Sequence, residues 1–271
     1  MKNKVPQTET GTMVRLLTET DIPKAMDFAE TDPAIHTFLI GNLENYNPES
    51  EDVTLWGQFA EDRLVGVLIR YFKSFMLYTI SDYEDVAAFA GIIQKYEGET
   101  DVISAKNAIV EKLIPYFDCP KIERTLFCEL KQTVSTPEDD GVRLAALDDM
   151  DAVYDLLKSI PEFSPPIKAA LVKAVEAGTS RIYIMMDGNG RAVSMARTAA
   201  ENRLTAIIVN VCTQAEHRNQ GYMRRVMMRL CADLQREGKA LCLFYSSPEA
   251  GRIYHSMGFE ITGDWTMMKF K

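Results

Sequence analysis

The stretch "LTAIIVNVC" (204–212) runs through "TQAEHRNQG" into "YMRRVMMRLCADL" (222–234), and this order leaves few architectures open. The first segment is an apolar run of strand length. The last places Met223, Val226, Met227, Leu230, Cys231 and Leu234 at steps of three and four, the stripe of an amphipathic helix. A strand that feeds such a helix through a glycine turn belongs to a sheet covered by helices. The turn itself predicts a ligand. Amides at a helix start lack intrahelical partners, and the macrodipole favours an anion there. Yet Arg224 and Arg225 occupy the first turn, against that dipole. A phosphate held by the amides, beside Arg218, Arg224, Arg225 or Arg229, relieves the conflict, and Gly221 lets the backbone come close to it. From the turn alone, an exposed basic helix after a loop glycine is an equal reading.

The same half supplies further elements. A short strand "VRLA" (142–145) precedes a helix near 148–159 and a second one over 166–177. Strands at 181–186 and 192–198 flank "DGNG", a strong hairpin signal. After the 222–234 helix come a strand "ALCLFY" (240–245), a short helix from "PEAGRIYHSM" (248–257) and an alternating strand near 260–270. A mixed, mostly antiparallel twisted sheet with helices on both faces is expected, an α/β fold of α+β type.

The chain reads as built twice. Val14-Arg15-Leu16 with Asp21 matches Val142-Arg143-Leu144 with Asp149 at an offset of 128, and Arg63 and Val65 match Arg191 and Val193 at the same offset. Between the copies, "KQTVSTPEDDG" is polar and turn-rich. The expected organisation is a first domain over 1–131, a linker over 132–141 and a second domain over 142–271. The first half shows a hairpin around 55–79, interrupted by "AEDR", and helix-like segments at 82–96 and 104–116. At the position equivalent to Gly221 by that offset stands Ile93, with no glycine turn.

Residues 1–141 carry 13 Lys+Arg against 25 Asp+Glu, a net of −12, and residues 142–271 carry 17 against 14, a net of +3. The overall charge of −9 argues against non-specific nucleic-acid binding. No apolar run has membrane-spanning length, so no membrane partner is expected. The N-terminus "MKNKVPQTETGT" has no signal-peptide core. Cys119, Cys128, Cys212, Cys231 and Cys242 lack metal-ligand spacing, so no metal is expected, and a reduced, cytoplasmic protein is implied. A homodimer is left open.

"VNVCTQAEHRNQGYMRRVMMRL" followed by "LCLFYSSPEAGRIYHSMGFE" resembles the GNAT superfamily of N-acetyltransferases. The resemblance covers the second half. The first half, through "DPAIHTFLIGNLENY" (32–46), is similar to the degenerate N-terminal domain of tandem members. The resemblance implies acetyl-coenzyme A as cosubstrate. Val209, Asn210 and Val211 would pair their backbone with its pantetheine arm as an added strand. The amides of Asn219, Gln220, Gly221, Tyr222 and Met223, beside Arg218, would hold the pyrophosphate. Ser247 occupies the place of a coenzyme-contacting Asn, and Met223 stands where the family prefers Gly or Ala.

The chemistry implied is direct attack of a primary amine, the small-molecule partner, on the thioester. A backbone N–H near Val211 would stabilise the oxyanion, and Tyr254 would protonate the leaving thiolate. Cys212 reads as packing. Glu162, Glu201 and Asp264 are the acids that could serve as base, and a water chain is an equal option. His217 and His255 read as surface residues, and His36 has no partner in sequence. An acidic first domain that shapes the acceptor cleft would suit a cationic amine. The rival readings are a catalytically silent coenzyme-binding regulatory module and a tandem-type aminoacyl or longer-acyl transferase.

Overall fold

Alternating and short apolar runs in the first 130 residues form a row of strands, with helices between them. The computed structural model describes residues 11–45, 50–80, 83, 85–118, 120–135, 141–163 and 166–270; Cys119 and residues 136–140 lie outside these. The chain divides into two compact units. Unit 1 comprises Met1–Asp32, Phe38–Leu126 and Gly263–Lys271, and unit 2 comprises Pro33–Thr37 and Phe127–Thr262. The division therefore runs through two strands, over 121–130 and 259–269, rather than through 132–141. It also assigns residues 33–37 to unit 2, where the Thr37 carbonyl accepts from Asn202 Nδ2 at 3.1 Å.

Unit 1 opens with β1 (Met13–Leu16), α1 (Ile22–Ala29) and α2 (Thr37–Glu44), followed by β2 (Val53–Ala60), β3 (Arg63–Tyr71) and β4 (Ser74–Thr79). The expected single hairpin around 55–79 is thus two consecutive hairpins. The reversal at 72–73 carries neither Gly nor Pro, and Phe72 takes a positive φ of 51° to make it. Next come α3 (Ala87–Ile93), β5 (Val102–Ala105), α4 (Asn107–Leu113) and β6 (Lys121–Leu130). Where residues 104–116 read as helical, the segment begins inside β5. Three of its four residues pair parallel with β4, with Met76 opposite Ser104. Leu68, Phe75, Phe89, Ile93, Ile103, Val110 and Leu113 form the core of this unit.

Unit 2 contains β7 (Val142–Leu144), α5 (Met150–Lys158), α6 (Lys168–Glu176), β8 (Ile182–Met186), β9 (Ala192–Ala199) and β10 (Thr205–Thr213). It continues with α7 (Tyr222–Arg236), β11 (Ala240–Tyr245), α8 (Pro248–His255) and the start of β12 (Phe259–Lys269). Its strand order is β12-β6-β11-β10-β9-β8-β7, and that of unit 1 is β1-β2-β3-β4-β5-β12-β6. The β10–β11 pair is parallel, whereas β7–β8, β8–β9 and β9–β10 are antiparallel.

Each face of the unit 2 sheet has its own core. On one, Val226, Met227, Leu230 and Leu234 of α7 pack on Tyr183, Met185, Ala206 and Ile208. These four are fully buried, and at about 1.5–3 kcal/mol per side chain they dock α7 firmly by its stripe. On the other face, Val153, Leu156 and Leu157 of α5 and Leu171 of α6 cover Ile182, Ile184, Met195 and Cys212. Among the described residues no helix is long and apolar enough to cross a membrane.

Candidate functional site

β10 is regular only as far as Ile208. Its pairing with β11 ends at Ile208 opposite Leu243, although β10 continues to Thr213. On the β9 side the register shifts between Val209 and Cys212, and Asn210 takes a left-handed φ of 50°. Asparagine tolerates that conformation better than its β-branched neighbours would. The bulge turns the strand edge outward. Val209, Asn210 and Val211 are half-buried in a strand that is otherwise buried, so the three residues expected to meet the pantetheine arm are the ones the strand uncovers.

The turn after β10 reaches α7 through two left-handed residues, Asn219 at φ 61° and Gly221 at φ 76°. Gly221 is the helix N-cap, no side chain caps the amides, and the first turn holds no acid. A Cβ on Gly221 would meet nothing within 4 Å, so the glycine leaves open space over the helix start. Arg218 folds back, its Nε donating to the Thr213 carbonyl at 3.2 Å, which ties the turn to the end of β10. Gln220 is exposed, with Nε2 donating to the Glu216 carbonyl at 3.4 Å.

The arginines of α7 have structural answers of their own. Arg224 Nη1 donates to Ser256 Oγ at 3.0 Å, at the C-cap of α8, where a cation meets the negative end of a dipole. The Arg225 guanidinium stacks 4.8 Å from the centroid of the Tyr222 ring, whose other neighbour is the His217 ring, stacked at 6.2 Å. Arg229 pairs with Asp233 at 3.4 Å. The charge conflict is thus eased by the protein itself. His217 is half-buried rather than a surface residue, and its Nδ1 is buried without a partner among the described residues.

α8 begins at Ser247, whose Oγ accepts from the amides of Glu249 and Ala250 at 3.2 and 3.4 Å. That side chain caps the helix. Only its hydroxyl proton remains to offer a ligand. Gly251 lets α8 lie flush on Tyr245, since a Cβ there would fall 2.5 Å from the Tyr245 ring. Tyr254 is half-buried against Tyr245 and Phe259, with ring centroids 6.0 Å away in each case. Burial pushes its phenol up to about 12, and among the described residues no protein group bonds its hydroxyl. The neighbouring Tyr245 hydroxyl is the tied one, 3.0 Å from His255 Nε2. His255 Nδ1 donates to the Phe259 carbonyl at 2.8 Å, so Nε2 of the neutral ring accepts from Tyr245. His255 is exposed at the surface but structural in role.

These pieces share one rim. Val211 of β10, Tyr222 and Met223 of α7 and Tyr254 of α8 are partly buried side chains packed on the same core cluster. Met223 is half-buried there, not aimed outward.

The other candidates sort by contacts. Glu201 is buried in an ion pair with Arg181 and accepts from Thr198 Oγ1 at 2.9 Å. Asp264, in unit 1, accepts from the Asn107 amide at 2.7 Å and caps α4. Both carboxylates are structural, and Glu162 alone is exposed without such a contact among the described residues. Burial holds the Cys212 thiol up at about 12, which removes its nucleophilic form near neutrality and fits the packing role. His36 is buried in the 33–37 segment of unit 2. A cleft of about 570 Å³ in unit 1, lined by Leu16, Thr18, Glu19, Val53 and Thr54, contains none of the residues expected to bind coenzyme or to act in catalysis. One residue escaped sequence reasoning: Arg197 of β9, whose Nε donates to Asn210 Oδ1 at 2.7 Å and so touches the bulge directly. Its only signal was a cation inside the strand "AVSMART".

The sequence profile of the acetyltransferase (GNAT) domain matches residues 141–262. A 75-residue stretch is 32% identical to serotonin N-acetyltransferase 2, chloroplastic, of Oryza sativa subsp. japonica. That stretch spans 28% of this chain and 38% of the rice protein. Among solved structures, a GCN5-related N-acetyltransferase from Sphaerobacter thermophilus superposes with a TM-score of 0.66 at 12% identity, over 97% of this chain and 96% of that one. A tandem GNAT protein from the clavulanic acid biosynthesis pathway does so with a TM-score of 0.57 at 13% identity, over 94% and 97%. At these identities the structural likenesses speak to fold alone. With the profile match lying over the bulged strand, the glycine turn and α8, residues 141–262 are an acetyltransferase domain of the GNAT family.

Proposed function

We propose that this chain transfers an acetyl group from acetyl-coenzyme A to a primary amine by direct attack. The observation that carries the reading is the end of β10–β11 pairing at Ile208–Leu243, directly followed by the Asn210 bulge. It leaves Val209 to Val211 half-buried and without β11 partners, and the following helix start has no side-chain cap. An extended amide-bearing arm can add to that edge as a strand does, and a pyrophosphate can sit on the amides around Gly221. The residues present fit the coenzyme.

Acetyl-coenzyme A supplies an activated acyl carbonyl. The Val211 N–H donates to its oxygen as negative charge develops, an effect worth about 3–4 kcal/mol for a well-placed donor. The amine nitrogen forms the new C–N bond as the C–S bond breaks. Tyr254, protonated throughout the physiological range, donates to the departing sulfur. A phenol near 12 is a weaker acid than a thiol of about 8.5, so its main service is a hydrogen bond that stabilises the thiolate while the amine proton is removed through solvent. The acceptor is a small amine, and the rice relative is named for one. A reducing, cytoplasmic setting suits the buried free thiols of Cys128, Cys212, Cys231 and Cys242.

The test is thiol release from acetyl-coenzyme A, followed across a panel of amines with the full chain. Amine-dependent release supports the proposal. Tight coenzyme binding without release on any amine favours the silent module, to which the capping role of Ser247 already lends weight. Release only with longer acyl or aminoacyl donors favours the third reading.

A further inference from the structure

Arg197 is a cation without a counter-ion. It is half-buried, and among the described residues no carboxylate lies within ion-pair distance of it. Its contacts are neutral: Nε to Asn210 Oδ1 at 2.7 Å, and Nη1 to the Thr198 carbonyl at 3.3 Å and Ser180 Oγ at 3.4 Å. The neighbouring Arg181, also half-buried, pairs with both Glu201 and Glu237. Burial lowers the Arg197 guanidinium to about 10, with no acid to offset the loss of solvent. A charge taken out of water without a partner costs several kcal/mol and points to a partner that arrives from outside.

Its position says which partner. Arg197 lies opposite Ile182 on β8 and opposite Val209 on β10. In antiparallel pairs opposite residues share a face, and Ile182 belongs to the face covered by α5 and α6. Arg197 therefore lies across the sheet from α7, on the α5/α6 face, and reaches Asn210 at the bulge itself. A group bound there sits beside the strand edge that carries the thioester in the proposed reaction. With Nε and Nη1 engaged, the two N–H groups of Nη2 remain, and they can donate to a carboxylate oxygen. The net charge of +3 over residues 142–271 does not oppose an anion.

We propose that Arg197 anchors a carboxylate on the acceptor, so that the amine acetylated here is of the amino-acid class. This rests on the acetyltransferase reading above. It makes Arg197 a specificity-determining residue, and Asn210 the group that aims it.

The test uses amine pairs that differ only by a carboxylate: glycine and methylamine, phenylalanine and phenethylamine, 5-hydroxytryptophan and serotonin. Coenzyme A affinity of the full chain is measured first by calorimetry. Absence of binding overturns the acetyltransferase reading, and this inference with it. With the coenzyme bound, we expect the carboxylate member of at least one pair to be favoured tenfold or more in kcat/KM. Arg197→Met should bring that ratio to about one, mainly through KM, with coenzyme A affinity within about twofold of wild type. A residue that merely supported the bulge would instead weaken coenzyme binding and affect both members of a pair alike. Should Arg197→Met fail to fold, Arg197→Lys retains the charge without the fork and should keep part of the preference. Where no pair turns over, calorimetry of the coenzyme complex with the same amines decides. Equal or better use of the carboxylate-free amines, or a preference that survives in Arg197→Met, overturns the proposal.

Discussion

Arg143 grips Asp149 with both ends of its guanidinium, Nη1 to Oδ2 at 2.6 Å and Nη2 to Oδ1 at 2.7 Å. Arg15 grips Asp21 in unit 1 with the same two distances. In each, the acid also accepts a backbone amide three residues earlier, from Ala146 at 2.7 Å and Thr18 at 2.9 Å. The repeated Val-Arg-Leu and Asp are therefore one device used twice: an ion-paired carboxylate that closes the turn between the first strand and the first helix of each unit.

Acid should undo this device. The Arg143 guanidinium and the Ala146 amide hold the Asp149 carboxyl down at about 2. A depressed pKa stabilises the fold above the unfolded value near 4, and the gain is lost as pH falls from about 4 through 2. Because Arg143 is half-exposed, about 1 kcal/mol is the expected size. Asp149→Asn should lower stability by that amount at pH 7 in urea titrations, and the difference from wild type should shrink below pH 4. A pH-independent difference would assign the loss to the turn rather than to the charge.

Gly221→Val should weaken coenzyme A binding at least tenfold. Two effects contribute, since valine dislikes φ 76° and its side chain would fill the space over the helix amides. Gly221→Asn separates them. Asparagine accepts the left-handed backbone but still occupies the approach, so it should fold like wild type and bind poorly. Calorimetry showing full affinity in a folded Gly221→Asn protein would remove phosphate contact at this turn from the reading.

For Tyr254→Phe, the ring packing against Tyr245 and Phe259 survives and only the hydroxyl is lost. kcat should fall about 10²-fold with coenzyme affinity nearly unchanged. The raised phenol also fixes the sign of the pH dependence. The protonated form is the useful one and persists until pH approaches 12, so Tyr254 should contribute no alkaline decline to the kcat profile below about pH 10. A fall near pH 8 to 9 that vanishes in Tyr254→Phe would show a phenol far more acidic than its burial dictates.

The strands and helices of unit 2 were legible because their signals are local: the "DGNG" reversal, the three-and-four spacing of α7, and proline after Ser247 at the head of α8. The bulge was not. Nothing in "IIVNVC" separates an asparagine that bends a strand from one that faces solvent, because the choice depends on where β11 stops pairing. Arg197 was hidden for a related reason: alternation alone does not say that its face is covered by α5 and α6. The offset of 128 misled in one place. It holds through β3 and then drifts, since the β3–β4 reversal and β4 are shorter than the β9–β10 connection and β10. The counterpart of Gly221 in unit 1 is therefore Val86, the N-cap of α3, and Ile93 lies at the far end of that helix.

This shift sharpens the last prediction, that each chain binds one coenzyme A. Val86 is buried, with φ −96°, and residues 80–86 hold no glycine, so the start of the helix between the parallel strands β4 and β5 has no glycine cradle. Residues 1–141 also carry a net of −12, which repels a ligand with several phosphate charges. The measurement belongs on the full chain, because residues 1–131 alone would lack Gly263–Lys271, which complete unit 1. Calorimetric titration should give a stoichiometry near one, and Gly221→Val should abolish most of the heat. If unit 1 were a second working site, wild type would titrate near two and the Gly221→Val protein would retain one full-affinity site. That pair of results would show that an N-cap valine and an acidic surface do not prevent coenzyme binding in this fold.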